Sequence, residues 1–479
     1  MRPRALTTAA LLVAALTAPA VLGPAGPTAH AAPAPATPYD FNGDGYTDLA
    51  IGAPDATVAG QAQAGAVSVV PGGPTGPKTS SRTLITQNTT AIPGTAEAGD
   101  AFGAALASAD LNADGYADLL IGAPGEDIPG DSGNGTAVIV WGSASGPSGA
   151  RTLFHFSDRE ADRYGQALAT GDFDDDGDLD VAAGSTGTIV LSVVNGPLTK
   201  TGAHNGGGGS SHDWWSTTTG VTHLTSADTA GDGRGPVVLH GRTAHNGAAA
   251  TALADLRIGN FTDWLQGMPT GFVSAAGDID HDGHTDFAVG NDRETSADPG
   301  GAKGGKVSVV YGGPEGLDPG RAPLVLTQDT AGVPGAAETG DRFGSGVALG
   351  DVDGDGYADL AVGAAGENSG AGSVTVLYGS ASGLTTRGAE SFTQNTTGVP
   401  GTSENGDLFG TRLALADRTG DARADLTVSA PGENAGDGSV WFLRGTTSGL
   451  TTTGGLSLGP ATAGVSTSGT PRLGTSLGG

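Results

Sequence analysis

The amino-acid sequence predicts an all-β fold, a seven-bladed β-propeller of four-stranded blades whose ring is closed by the C-terminal strand. Three observations predict it: an aspartate-rich loop that recurs, short apolar runs around each copy, and a C-terminal segment that repeats a strand missing from the first copy. Because repeat folds grow by adding copies, a chain of 479 residues need not divide into several domains.

The loop is the clearest repeated unit. Five copies keep the pattern D-x-D/N-x-D-G-x-x-D, whose residues are numbered positions 1 to 9, and they begin at Asp40, Asp110, Asp172, Asp278 and Asp351. Two weaker copies begin at Asp228 and Asp417. Seven copies spaced about 63 residues apart fit seven blades somewhat longer than typical ones.

Each loop has apolar runs with strand character around it. A run such as 102–106 precedes the loop, 118–124 follows it, 137–141 gives a third strand, and a fourth lies near Leu84 in one repeat and Leu324 in another. The 86 glycines and 27 prolines fall between such runs, which indicates tight turns rather than low-complexity disorder. Four strands per repeat make one propeller blade.

The chain ends agree with a closed ring. No Phe-Gly strand precedes the first loop, whereas residues 472–478 copy the sequence of 409–413. The C-terminus can therefore supply the innermost strand of the first blade and leave no open sheet edge. The alternative is a disordered Ser/Thr/Gly tail that matches the strand by chance.

The N-terminus is typical of an export signal. Arg2 and Arg4 precede an apolar run over 9–22, and Ala29-His30-Ala31 offers a cleavage site, so residues 1–31 are predicted to be a secretory signal peptide. Residues 32–39 form a short linker and 40–479 the propeller. The alternative is an N-terminal membrane anchor, but the apolar run is too short to span a bilayer comfortably and Pro19 interrupts it. A secreted, extracellular protein with no membrane span is expected.

Charge and cysteine content narrow the partners. A formal net charge of −29 argues against nucleic acid and anionic membranes. The chain has no cysteine, so no disulfide stabilises an exported, loop-rich fold. Bound metal is the expected substitute.

The order of Phe-Gly, aspartate loop and Gly-Ala-Pro, as in Phe102-Gly103, 110–118 and 122–124, resembles the FG-GAP repeat of the integrin α-chain N-terminal propeller. The resemblance covers about 40–479. It implies a seven-bladed propeller with Ca²⁺ in the hairpin loops between the first two strands of a blade, and a ligand face at the opposite end. The fourth blade lacks Phe-Gly and Gly-Ala-Pro, and the seventh lacks the position-3 Asp/Asn and the loop glycine.

The loop chemistry favours Ca²⁺, a hard cation that takes six to eight oxygen ligands. Positions 1, 3 and 5 can converge as the chain curls, Gly at position 6 permits the turn, position 7 offers a backbone carbonyl, and position 9 closes the shell. About five calcium sites are predicted, with ligands Asp40, Asn42, Asp44, Tyr46, Asp48, Asp110, Asn112, Asp114, Tyr116, Asp118, Asp172, Asp174, Asp176, Asp178, Asp180, Asp278, Asp280, Asp282, His284, Asp286, Asp351, Asp353, Asp355, Tyr357 and Asp359. The alternative is a set of metal-free Asp/Gly turns, but three or four carboxylates packed together repel one another without a cation.

The predicted function is a calcium-binding adhesion or binding module, monomeric, with an extracellular protein or carbohydrate ligand. Two surfaces are candidates. One is the irregular fourth blade, whose sequence gathers seven histidines with Trp214, Trp215 and Trp264 and could form an aromatic platform for sugar or peptide. The alternative for this blade is ordinary loop packing with incidental histidines. The other is a repeated Pro-Gly-x-x-Glu loop that, with three further glutamates, lines the face opposite the metals: Glu97, Glu338, Glu404, Glu126, Glu367 and Glu433.

The alternative function is a secreted hydrolase, an esterase or a phospholipase D-like enzyme. The same repeats also resemble the propeller of glycosylphosphatidylinositol-specific phospholipase D, whose chemistry lies in a separate zinc-dependent domain for which residues 32–39 leave no room. A site would then have to lie inside the propeller, near His212 or His240. The sequence shows no cysteine nucleophile, G-x-S-x-G, H-E-x-x-H or P-loop motif.

Overall fold

Strands dominate the described structure, a computed structural model that describes residues 36–128, 132–153, 160–210, 215–226, 235–254, 256, 264–265, 268–314 and 316–478. Of residues 264–265 only the backbone is described. The predicted signal peptide and the weak loop at Asp228 therefore lie outside the described residues. Seven four-stranded antiparallel sheets follow one another along the chain.

The first three blades are built as expected. Blade 1 combines the C-terminal strand with three N-terminal ones, in the order β3 (Thr83–Ile85), β2 (Ala66–Val70), β1 (Leu49–Ala53) and β30 (Ser476–Gly478). Blade 2 contains β4 (Ala105–Ala109), β5 (Asp118–Ala123), β6 (Thr136–Val140) and β7 (Ala150–Thr152). Blade 3 contains β8 (Ala161–Gly171), β9 (Asp180–Gly187), β10 (Leu191–Val194) and β11 (Gly207–Ser210).

The remaining blades repeat the same order from the axis outward. Blade 4 contains β12 (Val221–Ser226), β13 (Val237–Arg242), β14 (Ala249–Ala254) and β15 (Trp264–Leu265). Blade 5 contains β16 (Val273–Gly277), β17 (Asp286–Asn291), β18 (Lys306–Val310) and β21 (Leu324–Leu326), with a small hairpin of β19 (Gly312–Gly313) and β20 (Gly316–Leu317). Blade 6 contains β22 (Phe343–Gly350), β23 (Asp359–Ala364), β24 (Ser373–Tyr378) and β25 (Thr385–Phe392), and blade 7 contains β26 (Leu413–Ala416), β27 (Asp425–Ala430), β28 (Ser439–Thr446) and β29 (Gly449–Leu458).

Helical segments are short: a 3₁₀ turn at Thr79–Ser81, α1 (Glu367–Gly370), α2 (Glu433–Gly436) and α3 (Pro460–Ala463). Both α1 and α2 contain two consecutive residues in left-handed conformation. Among the described residues, no helix has the length and apolar character needed to cross a bilayer.

The ring closes through the C-terminal strand, which confirms the prediction. Strand β30 pairs antiparallel with β1, Ile51 opposite Leu477. Leu473, which stands where other blades have the phenylalanine of Phe-Gly, is fully buried. The Ser476 hydroxyl donates to the Gly103 carbonyl at 2.6 Å, so the last strand also reaches the inner strand of blade 2.

The Phe-Gly and Gly-Ala-Pro signatures mark the contact between neighbouring blades. Phe102, Phe343 and Phe409 are fully buried. A Cβ on Gly122 would lie 1.9 Å from the Gly165 carbonyl of the next blade, so only glycine permits this approach. Apolar clusters lie between successive blades, and the one between blades 4 and 5 is the smallest, with Val238, Leu253 and Phe287.

The inner strands have a free edge toward the axis, and side chains of neighbouring blades satisfy its carbonyls. Gln166 donates to the Val221 carbonyl at 2.9 Å, and the Arg412 Nε donates to the Thr475 carbonyl at 3.3 Å. These bonds join the blades in sequence around the axis and leave fewer backbone acceptors unpaired.

Candidate metal centres

The aspartate loops occupy one end of the propeller. Each complete loop leads directly into the second strand of its blade, as 351–358 leads into β23. Because the strands are antiparallel, connections between second and third strands lie at the opposite end. The loops and the glutamate-rich connections therefore belong to opposite faces, as the sequence predicted.

A shared hydrogen-bond scaffold shapes each loop, and the sixth shows it clearly. The Asp351 carboxylate accepts the Asp355 N–H at 3.2 Å and the Gly356 N–H at 2.9 Å, and Asp355 accepts the Tyr357 N–H at 3.0 Å. Gly356 at position 6 has φ +92°, which only glycine adopts without strain. These bonds turn the side chains of positions 1, 3 and 5 toward one another.

The position-9 aspartates act as buried braces. Asp359 accepts the Val352 N–H and, from the turn after the third strand, the Gly379 N–H, both at 2.9 Å. Burial raises its pKa to about 7 despite these bonds, and the carboxylates of Asp353 and Asp351 raise it further. Burial does the same at the other position-9 residues Asp48, Asp118, Asp180 and Asp286, each with a pKa of about 7.

Three loops place carboxylate oxygens close enough to share one cation. The oxygens lie within 4.8 Å of one another in three groups, Asp172 with Asp174 and Asp180, Asp278 with Asp280 and Asp282, and Asp351 with Asp353 and Asp355. Hard oxygen donors of this kind suit Ca²⁺. Burial and neighbouring carboxylates raise the pKa of Asp174 and Asp353, a conflict that a bound cation would relieve.

The first two loops have asparagine at position 3. The Asn42 Oδ1 accepts the Asp44 N–H at 2.8 Å, whereas the Asn112 amide donates to Asp118 at 3.0 Å. An amide oxygen is also a calcium ligand, so the donor set of positions 1, 3 and 5 still fits.

Position 7 has a second contact that the sequence did not reveal. The N–H groups of Tyr46, Tyr116, Asp178, His284 and Tyr357 all donate to the position-5 carboxylate of their own loop. The Tyr116 ring also covers Gly43 of the preceding loop, and Tyr357 meets His281 edge-to-face at 5.9 Å between centroids. Neighbouring loops are thereby interlocked.

Basic side chains approach some loops and not others. Lys78 lies 3.3 Å from Asp44, Lys200 lies 2.8 Å from Asp114, and Arg321 pairs with Asp280. In the sixth loop no such pair is found among the described residues. Each of these basic residues lies far from its loop in the sequence and belongs to no repeated pattern, so the sequence did not predict the pairs.

The seventh loop carries its own cations. It keeps the scaffold, with Asp417 accepting the Asp421 N–H at 3.1 Å, but Asp421 pairs with Arg423 at 2.7 Å and Arg444 at 3.3 Å. Arg423 stands at position 7, where the five complete loops have none. This pairing agrees with the weak metal binding expected of the degenerate copy.

The aromatic platform considered for the fourth blade is not formed by Trp215. Trp215 is 1% exposed and belongs to the core between blades 3 and 4, so it offers no ligand surface. Trp214 and His212 lie outside the described residues. The described histidines of this group are spread over three blades: His204 lies beyond β10 in blade 3, His223, His240 and His245 lie in blade 4, and His281 and His284 lie in the blade 5 loop.

One histidine network does occur near the axis. The His240 Nε2 lies 2.8 Å from the Ser274 hydroxyl, and its Nδ1 lies 3.1 Å from the Gly271 carbonyl. Burial lowers the pKa of His240 to about 3, and His223 lowers it further. Such a weak base does not activate a serine at neutral pH. The contact instead ties blade 4 to blade 5.

On the opposite face the glutamates divide into two sets. Glu97, Glu338 and Glu404 are exposed. Glu126, Glu367 and Glu433 instead accept bonds from buried glutamines of the connection from the preceding blade, Gln87, Gln328 and Gln394. Burial raises the pKa of Glu126 to about 7. The second set links blades, which the recurring Thr-Gln-Asn/Asp-Thr sequence could have suggested.

Comparison with known proteins identifies the repeats. The FG-GAP repeat family matches residues 32–70, 102–141, 270–310, 343–377 and 409–443, so five blades carry it. The phosphatidylinositol-glycan-specific phospholipase D of Rattus norvegicus is 37% identical over 165 residues, 34% of this chain and 18% of its own length. Integrin alpha-4 of Xenopus laevis is 43% identical over 89 residues, 18% of this chain and 8% of its own. The chain thus spans less than a fifth of these curated relatives.

Proposed function

We propose that this FG-GAP repeat β-propeller is a secreted, calcium-dependent binding or adhesion module for an extracellular protein or carbohydrate ligand. The observation that carries the proposal is the convergence of carboxylate oxygens within 4.8 Å in the third, fifth and sixth loops. Ca²⁺ would supply the positive charge that these oxygens share. The five complete loops, with the ligands predicted from the sequence, would hold about five ions.

Calcium would act as a brace rather than as a ligand-binding group. The loops interlock through position 7, so an ion that rigidifies one loop also supports its neighbour. The ligand would bind at the opposite face, where the exposed Glu97, Glu338 and Glu404 favour a partner with basic or hydroxyl groups.

Export forms part of the same proposal. Residues 1–31 would be cleaved as a signal peptide, 32–39 would be a linker, and the propeller of 40–479 would be released as a monomer. The basic and apolar pattern at the N-terminus supports cleavage. The names of the relatives, an integrin and a phospholipase that acts on a glycan-linked lipid, are consistent with work outside the cell.

The first experiment is calcium titration of the purified chain with calorimetry and thermal unfolding. We expect about five ions to bind and the chelated protein to lose stability, by about 2.7 kcal/mol per site at a free calcium concentration of 100 Kd. Unchanged unfolding and protease resistance in chelator would refute the calcium sites.

The second experiment screens glycan, cell-wall and protein arrays with and without calcium. Binding that disappears in chelator, weakens in an Asp353→Ala variant and persists unchanged in Thr419→Ala is the expected result. Equal ligand binding with and without calcium would refute the calcium dependence, although the binding role itself would stand. Hydrolysis of esters or phosphodiesters by the purified protein would contradict the binding role and support the alternative function, a secreted hydrolase.

A further inference from the structure

A cavity of about 200 Å³ lies on the axis of the ring. All seven inner strands or the residues just before them line it, including Ala105, Ala167, His223, Ser274, Arg412 and Ser476. At about 30 Å³ for each water, this volume equals roughly six or seven water molecules. The cavity therefore has room for a molecule of a few non-hydrogen atoms.

Arg412 is the only arginine, lysine or acidic side chain among the described residues that line the cavity. Its Nε donates to the Thr475 carbonyl, and no carboxylate of a described residue lies within ion-pair distance of it. The acidic group that acts on it, Asp292, is held by Arg293 at 3.1 Å and Arg342 at 2.7 Å. Burial lowers the pKa of Arg412, and the nearby Arg342 lowers it further, whereas Asp292 raises it.

The rest of the wall has no Lys, Arg, Asp or Glu side chain and presents both polar and aliphatic groups, the polar ones including Gln166, Thr222, Ser274 and Ser476. Leu106, Leu168, Leu224, Val347, Leu413 and Leu477 contribute aliphatic groups. His223 faces Arg412 closely enough for the guanidinium to affect it, and burial lowers the pKa of His223 to about 4, so it is neutral at neutral pH. A guanidinium beside aliphatic side chains suits an anion that has a small apolar body.

We propose that the axial cavity is a binding site for a short aliphatic carboxylate, held by the terminal nitrogens of Arg412. The Nε stays on the Thr475 carbonyl, which leaves the edge formed by Nη1 and Nη2 for a bidentate contact with a carboxylate. The aliphatic tail would lie against the leucine and valine side chains. A doubly charged phosphate would lose more hydration than one guanidinium restores.

The test is calorimetric titration of the calcium-loaded full chain with sodium butyrate, and with butyramide, butylamine and phosphate as comparisons. One butyrate per chain is expected, with no measurable binding of the amide or the amine and weaker binding of phosphate. Arg412→Gln should reduce butyrate affinity at least tenfold. Arg387→Gln, which alters an exposed arginine on β25, is the matched control and should bind as the wild type does.

Ala105→Leu keeps Arg412 but fills part of the cavity, so it should also weaken butyrate binding. This variant decides the outcome if Arg412→Gln fails to fold, because Arg412 also supports the Thr475 carbonyl. The proposal is overturned by absent butyrate binding at millimolar concentration, by equal binding of butyramide, or by full affinity in either cavity variant.

Discussion

The sixth and seventh loops have the same backbone scaffold and different sources of positive charge. In both, the position-1 aspartate accepts the N–H groups of positions 5 and 6. In the sixth loop three carboxylates converge without a basic partner among the described residues. In the seventh, Thr419 replaces the position-3 carboxylate, and Arg423 and Arg444 pair with Asp421. The sixth loop groups carboxylates that could hold a metal ion, whereas the seventh contains its own cations.

The seventh loop also lies at the closure of the ring, where Arg418 reaches into blade 1. Arg418 is fully buried, and its Nη1 donates to the Asp48 carbonyl at 2.7 Å. Its Nε donates to the Thr427 hydroxyl at 3.1 Å. The difference between the loops teaches that at the ring closure the positive charge comes from arginines of the chain, whereas the complete loops are where the proposed calcium would supply it.

The largest effect is expected when the closing strand is removed, because blade 1 then loses its innermost strand and the junction with blade 7 loses the buried Leu473. Deleting 471–479 exposes the edge of β1 and the buried site of Leu473, and should cost about 5 kcal/mol of unfolding free energy. Leu473→Ala is the control and should cost about 3 kcal/mol. A truncated protein with the wild-type denaturant midpoint would contradict the closure.

Arg418→Met tests the internal cation at the seam. The change removes two buried hydrogen bonds and leaves Asp425 and Asp48 without a nearby positive charge, so a loss of about 3 kcal/mol is expected in denaturant unfolding, with or without calcium. Arg387→Met, on the exposed part of β25, should change stability by less than about 0.5 kcal/mol. Equal stability of the two variants would show that the seam does not need Arg418.

Matched position-3 changes sharpen the contrast between the loops. Asp353→Ala should abolish one calcium site and its stabilisation of about 2.7 kcal/mol at 100 Kd, whereas Thr419→Ala should leave the calcium stoichiometry unchanged. Calorimetric titration measures the stoichiometry, and thermal unfolding measures the stabilisation. A site lost in Thr419→Ala would mean that the seventh loop binds metal despite its arginines.

The remaining prediction is a pH dependence of stability that calcium should alter. Burial raises the folded-state pKa of Asp359 to about 7 and of Asp425 to about 6, above the unfolded value of about 3.9. The folded state thus binds protons more strongly, and stability in chelator should rise as pH falls from about 7 toward about 4. With calcium the gain should be smaller, since protons then displace ions. A melting temperature in chelator that falls over this range would contradict the assignment.

The sequence predicted local and repeated features well. The loop pattern located the acidic clusters, and the likeness of 472–478 to 409–413 predicted the closing strand. It failed where side chains of one blade meet another. Trp215, considered from the sequence for an aromatic platform, is buried between blades, and the described histidines of that group are spread over blades 3, 4 and 5.

By itself, the sequence determined the seven repeats, their strands and the positions of the aspartate loops, because these depend on residues within a few positions of one another. Only the tertiary structure decided which loop is neutralised internally, that Arg418 supports the carbonyl of Asp48, and that Arg412 lines an axial cavity with no carboxylate of a described residue within ion-pair distance. Contacts of this kind join residues that are far apart in the sequence, and the hydrogen bond between Ser476 and Gly103 spans 373 positions. Their geometry exists only once the ring has closed, since no local pattern encodes which side chains closure brings together.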